Sequence, residues 1–137
     1  MDPTNRLIAA LYGGVFTQPL ERFQDFALTH LNAVIPYDST AWASGHDELS
    51  TIHPIHAVNQ SLDDLQLLAT RYCQSDPVRQ MALAYPGTPV RLEDVMTVAV
   101  YHTIPLYYEL GRRIGIEQVM ATVLIDPVTK LDNLIIL

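Results

Sequence analysis

Three features of this sequence invite a chemical reading: a close pair of histidines, a lone cysteine, and an aspartate followed by proline. His53 and His56 lie three residues apart with Pro54 between them. Metal-binding imidazoles must converge, but residues three apart on a strand face opposite sides. No Cys-x-x-Cys, His-x-x-x-His or carboxylate cluster accompanies the pair, so no metal site is expected. His30, His46 and His102 are scattered and read as solvated or locally satisfied. Cys73 falls near the end of a helical stretch, whereas an activated thiolate sits at a helix N-terminus or beside a cation, so it reads as a buried structural residue. Ser39, Ser44 and Ser61 lack the glycines of a nucleophile elbow. Gly13-Gly14 lacks the Lys-Ser/Thr that follows in a phosphate loop. No catalytic constellation and no cofactor motif is left, and the chain reads as a non-enzyme.

Asp76-Pro77 has two readings. Asp as helix N-cap with Pro at the first helical position accounts for the pair in full. Alternatively the carboxylate accepts a hydrogen bond from a ligand inside a pocket, and both hold if a lone pair stays free. Trp42, the single tryptophan, either packs in the core with its indole N–H satisfied or stacks on a ligand. Tyr72, Tyr101, Tyr107 and Tyr108 offer hydroxyls. Tyr107 and Tyr108 are about 100° apart on a helix, so at most one points fully inward.

These residues need elements to hold them. The chain has 137 residues, 49% hydrophobic and 17% charged, enough for one domain with a real core. A net charge of -7 argues against direct contact with nucleic acid, which requires clustered Lys and Arg. One cysteine excludes an internal disulfide and suits a reducing compartment. Asp2 stands where a secretory signal carries basic residues, and no apolar run is long enough to span a bilayer, so a cytoplasmic location without membrane contact is expected.

Asp2-Pro3 predicts a helix start and Gly13-Gly14 its end. A second helix runs from Thr17 to Val34 on the stripe Leu20, Phe23, Ala27 and Leu31, and Pro36 stops it. Ser39–His46 alternates as a strand, Asp47-Glu48 turns, and Ser50–Val58 returns as an edge strand because Pro54 cannot donate to a ladder. Ser61 with Asp64 opens a helix bearing Leu62, Leu65, Leu68, Ala69 and Tyr72, which Asp76-Pro77 breaks. Val78–Ala84 is a short helix, and Val90 and Leu92 are inward anchors in an irregular stretch. A last helix, Ile104–Ile114, ends at Gly115. Glu117–Ile125 and Leu131–Leu137 form a terminal hairpin, the last strand central because both its faces are apolar. The expected fold is α+β, with a curved antiparallel sheet and helices on both sides.

Ile35-Pro36-Tyr37-Asp38-Ser39-Thr40-Ala41-Trp42, then Tyr72 with Ser75-Asp76-Pro77-Val78, then Gly115-Ile116-Glu117 leading into a hairpin, resembles the N-terminal regulatory domain of LuxR-type transcriptional regulators, of GAF/PAS-like build. The resemblance covers nearly the whole chain. It implies a sensor that binds a small molecule between the sheet and a lid formed by residues 61–85 and the Ile104 helix. It also implies an attached helix-turn-helix domain, absent from these residues, through which DNA is bound, so a longer natural protein is expected. By resemblance and inward phase the pocket residues are Trp42, Tyr72, Asp76, Tyr108 and Thr122. Asp63, Leu67 and Arg91-Leu92 stand where family members that sense acyl-homoserine lactones carry aromatics, which points away from that ligand. A homodimer is expected through the Thr17–Val34 helix or the N-terminal helix, whose apolar stripes are wide for surface helices. The competing reading is a ligand-free dimerisation or partner-docking module with a filled core.

Overall fold

A computed structural model describes residues 2–46, 51–130 and 132–137, with backbone alone for 51–54. The predicted turn at Asp47-Glu48 lies outside the described residues.

The chain opens with helix α1 (Pro3–Thr17), and Asp2 caps it by accepting the Asn5 N–H at 3.1 Å. Gly13-Gly14 does not end this helix, contrary to expectation. Gly14 is buried under the Phe26 ring, and a Cβ there would lie 2.9 Å from Phe26 Cδ1. The glycine serves close approach of α1 to α2 (Leu20–Leu31), and the helix runs on until Gln18-Pro19. Strand β1 (Thr40–His46) pairs antiparallel with β2 (Thr51–Val58), the edge strand that Pro54 required. A bulge between Ala43 and Gly45 sets the single residue Ser44 against two positions of β2.

Ser61 caps α3 (Leu62–Leu67), which widens without a break into a π-helical turn, Leu68–Tyr72. Asp76-Pro77 then starts α4 (Pro77–Ala84). Short pieces follow: β3 (Val90–Arg91), α5 (Leu92–Val95) and α6 (Val98–Tyr101). Both expected anchors, Val90 and Leu92, are buried. The predicted Ile104 helix is π-helical over Leu106–Gly111 before α7 (Arg112–Ile114), and Gly115 ends it at φ 78°, where a left-handed cap favours glycine. Strands β4 (Met120–Ile125) and β5 (Asp132–Ile136) form the closing hairpin.

The five strands lie in the order β2-β1-β5-β4-β3, every pairing antiparallel and the sheet open, so β5 is central as its apolar composition implied. The fold is α+β, a curved sheet with helices packed against it. Residues paired directly across strands share a face, which sorts the sheet into two sides. Ala41, Ala43, Ile55, Ala121, Val123, Leu134 and Ile136 fall on one side, the inner face, and meet α3, its π-turn and α4. Trp42, His56, Thr122 and Ile135 fall on the other. There His56 Nδ1 lies 3.5 Å from Asp25 of α2, which places α2 on the outer side.

Candidate functional site

The seam between the inner face and the helices is built by pattern. Alternation along β1 and β5 sends small and aliphatic side chains inward. The apolar stripe of α3 and its π-turn covers them with Leu65, Leu68 and Ala69. This packing leaves a cavity of about 40 Å3, completed by Ile55, Cys73, Asp76, Arg79, Leu134 and Ile136. Small residues create it: Ala41, Ala43 and Ala69 stand where larger side chains would fill the gap. The volume admits about one or two waters and falls well below the ~300 Å3 of an ordinary ligand pocket.

Asp76 is the charged acceptor at the rim. Its Oδ1 accepts the N–H groups of Val78 at 3.0 Å and Arg79 at 3.2 Å, so the cap reading is realised. Burial pushes its pKa up, against the opposing pull of those two N–H groups and of the Arg79 charge. Arg79 is itself buried, and its Nη1 donates to the Cys73 carbonyl at 2.8 Å. A guanidinium in this position ties the start of α4 to the end of the preceding turn. Sequence reasoning passed over Arg79. Its only signal was its place three residues after a capping Asp and next to buried Val78.

The five residues singled out from sequence do not share one space. Asp76 alone lines the cavity. Tyr72 is buried, but its ring packs with Leu106 and Leu110 and its hydroxyl donates to Glu109, away from the cavity. Tyr108 is exposed, and the inward member of its pair is Tyr107, whose hydroxyl donates to Glu117 Oε1 at 2.7 Å. Trp42 and Thr122 point to the outer side because each pairs with Ile135 rather than with an inner-row residue. The indole N–H of Trp42 donates to Asn133 Oδ1 at 3.2 Å, and the Ser44 hydroxyl shares that acceptor at 2.8 Å. The Thr122 hydroxyl is buried without a hydrogen-bond partner among the described residues. The Ile104 helix, expected as part of the lid, stands behind it. Leu106 and Leu110 brace Tyr72, and Glu109 takes an ion pair from Arg71 at 3.2 Å.

A second aromatic cluster lies beyond α4. His102 stacks on Tyr107 at 4.1 Å and meets Glu117 Oε2 at 2.9 Å. Tyr101 is buried against Tyr107, and desolvation, with the nearby Asp76 charge, pushes its hydroxyl pKa up to about 12. Both hydroxyls stay neutral, and that of Tyr107 donates to Glu117. A larger open cleft of about 580 Å3 lies where β1 and β4 begin, lined by Tyr37, Asn59, Arg91, Glu117 and Leu137 among others. Among the described residues no group of three or more His, Cys, Asp or Glu is placed to hold a metal ion, and no helix is long and apolar enough to cross a membrane.

An open five-stranded antiparallel sheet, lidded on its inner face by a helix, a π-turn and a second helix, defines an α+β domain. A solved structure shares this fold: the VqsR LBD domain from Pseudomonas aeruginosa matches with a TM-score of 0.63 over 98% of this chain and 75% of that one. The two sequences are 17% identical, so the likeness is one of fold. No family model and no curated protein sequence matches this chain.

Proposed function

We propose that this chain is the signal-sensing domain of a LuxR-type transcriptional regulator, and that it is non-enzymatic. A small molecule enters between the inner face of the sheet and the α3–α4 lid, and the response passes to a DNA-binding domain outside these residues. The observation that carries the reading is the apolar cavity at that seam, bordered by the charged pair Asp76 and Arg79. The likeness to the VqsR LBD domain supports it. At about 40 Å3 the cavity is the closed form of the site. A ligand of ordinary size binds by displacing the lid, so its affinity for the open arrangement must exceed that for the closed one. The π-turn at Leu68–Tyr72 sits where that displacement is needed, since such turns are where a helix changes register at functional sites.

The same small volume favours a second reading, a docking module whose filled core binds nothing. Native mass spectrometry of protein purified from its own host separates the two. A retained small molecule, and a thermal shift on adding it back, supports sensing. Bare protein that shifts with no extract or small-molecule panel leaves the docking module.

A further inference from the structure

The open cleft at the strand starts shares no lining residue with the seam cavity. Sheet order sets its walls. The segment before β1 forms one side and the segment before β4 the other, with Leu137, just past β5, between them. The walls therefore stand two strand spacings apart, about 9–10 Å. That width takes one ring or one extended chain. The volume of about 580 Å3 lies within the ~300–1,000 Å3 of ordinary ligand sites.

Hydrogen bonds fix both walls. Asn59 Nδ2 donates to the Asp38 carbonyl at 3.0 Å and Gln60 Nε2 to Ser39 Oγ at 2.9 Å. Opposite, the Leu92 N–H donates to the Val119 carbonyl at 2.8 Å. A ligand thus meets a site already formed. Arg91 is the one basic side chain among the described residues that line the cleft, and Glu93 at 2.7 Å and Asp94 at 2.8 Å hold its guanidinium. Glu117 and the exposed Asp38, on facing walls, then give the cleft an excess of negative charge. Glu117 Oε1 accepts from Tyr107 at 2.7 Å, and Oε2 lies 2.9 Å from His102 Nε2. These contacts orient the carboxylate and leave each oxygen a lone pair.

We propose that this cleft is a second binding site, for a small organic cation: an amine or guanidine carried on an apolar body. The charge sits by Glu117 and Asp38, and the body lies on Ile35, Ile116 and Leu137. An ion pair open to solvent adds little affinity, so apolar contact supplies most of it and the carboxylates select the sign of charge. The chain's net charge of -7 draws cations in and repels carboxylates and phosphates. Occupancy reaches the core through Glu117, because Tyr107 bonds to it and packs on Tyr101 with ring centroids 5.0 Å apart.

Titration of the 137-residue chain, followed by calorimetry and amide NMR shifts, tests this with phenethylamine, tryptamine and agmatine. Phenylacetate and phenethyl alcohol serve as the anionic and neutral counterparts. At least one amine is expected to saturate with a Kd at or below about 1 mM, shifting Asp38, Ile116 and Glu117, while neither counterpart does. Gln118→Arg, which adds a cation at an exposed position of the cleft, is expected to abolish binding. Glu117→Gln is expected to weaken it about fivefold, and Asp38→Asn repeats the test without touching the Tyr107 contact. Glu21→Gln, which removes an exposed carboxylate from α2, is expected to leave the affinity unchanged. Saturation by none of the three amines overturns the proposal. So do equal binding of phenylacetate, undiminished binding by Gln118→Arg, and a loss in Glu21→Gln as large as in Glu117→Gln. Shifts at Leu65 and Cys73 instead would place the amine at the seam, which overturns the cleft site and leaves the sensing reading standing.

Discussion

The inner and outer faces of the sheet use the same strands in opposite ways. On the inner face Ala121, Val123 and Leu134 are buried against α4 and the aromatic pair Tyr101 and Tyr107, while Ala41 and Ala43, also buried, line the cavity below α3. On the outer face polar groups do the joining. Asn133 Oδ1 accepts from Trp42 and Ser44, and Thr40 donates to the Ile136 carbonyl at 2.7 Å. Leu124, further along β4, is left exposed. The inner face is held by packing, which is lost in proportion to volume removed. The outer face is held by hydrogen bonds, whose cost appears when one partner is left unpaired. The cavity belongs to the packed side, so a ligand there competes with core contacts. The single tryptophan belongs to the hydrogen-bonded side, where it serves β1–β5 pairing.

Substitutions at four positions test that contrast, in falling order of effect. Leu134→Ala removes a buried inner-row side chain from the central strand and enlarges the cavity, so a loss of about 2–5 kcal/mol in chemical denaturation is expected. A loss below about 1 kcal/mol would mean that the inner face is not close-packed at β5. Asn133→Leu strips the shared acceptor from Trp42 and Ser44, and a loss of about 1–2 kcal/mol is expected, with a change in Trp42 fluorescence. An unchanged midpoint would show that water replaces Asn133 and that the outer face is open to solvent.

Asp76→Ala removes the cap of α4 at a cost of about 1 kcal/mol, while Asp76→Asn keeps it. The second variant also isolates the titration. Burial holds the Asp76 carboxyl above its usual range, so the folded state binds the proton more tightly than the unfolded one. Stability from this group is therefore greatest below the unfolded value of about 3.9 and falls as pH rises toward the folded value. Wild type should lose stability relative to Asp76→Asn over that interval. The opposite slope would show that the N–H groups and Arg79 outweigh burial. Glu117→Gln is the smallest change. Hydrogen bonds from Tyr107 and His102 hold the Glu117 carboxyl below its usual range, so its contribution is present above the unfolded pKa and is lost on acidification. The variant should flatten the acid limb of the stability curve, and an unchanged limb would remove Glu117 from it.

Much of the architecture is legible in the amino-acid order because its signals are local. Asp2, Ser61 and Asp76 cap helices, Gly115 closes the last one, and Asp126 Oδ1 accepts the N–H groups of Val128 and Thr129 at 2.8 Å in the turn that makes the terminal hairpin. Each depends on backbone groups within a few residues. Pro54 on an edge strand and an apolar strand at the centre follow from what a ladder allows. The site is less legible. Of Trp42, Tyr72, Asp76, Tyr108 and Thr122, Asp76 alone reaches the cavity. Chemical type draws attention to the aromatics, whereas the cavity is made by alanines that leave space.

What the sequence by itself determined is the order of the main helices and strands and most of their starts, since helix caps, strand alternation and turn residues act over one turn or one pleat. The tertiary structure alone decided which row of each strand faces the lid. Alternation defines two faces and names neither, and the choice between them is made by distant segments, α4 and Tyr101 on one side and α2 on the other. The same holds for Gly14, a helix end by its residue type and a helix contact once Phe26 lies against it. It holds also for the π-turn, where packing against Leu106 and Leu110 sets the register that α-helical periodicity would have placed otherwise.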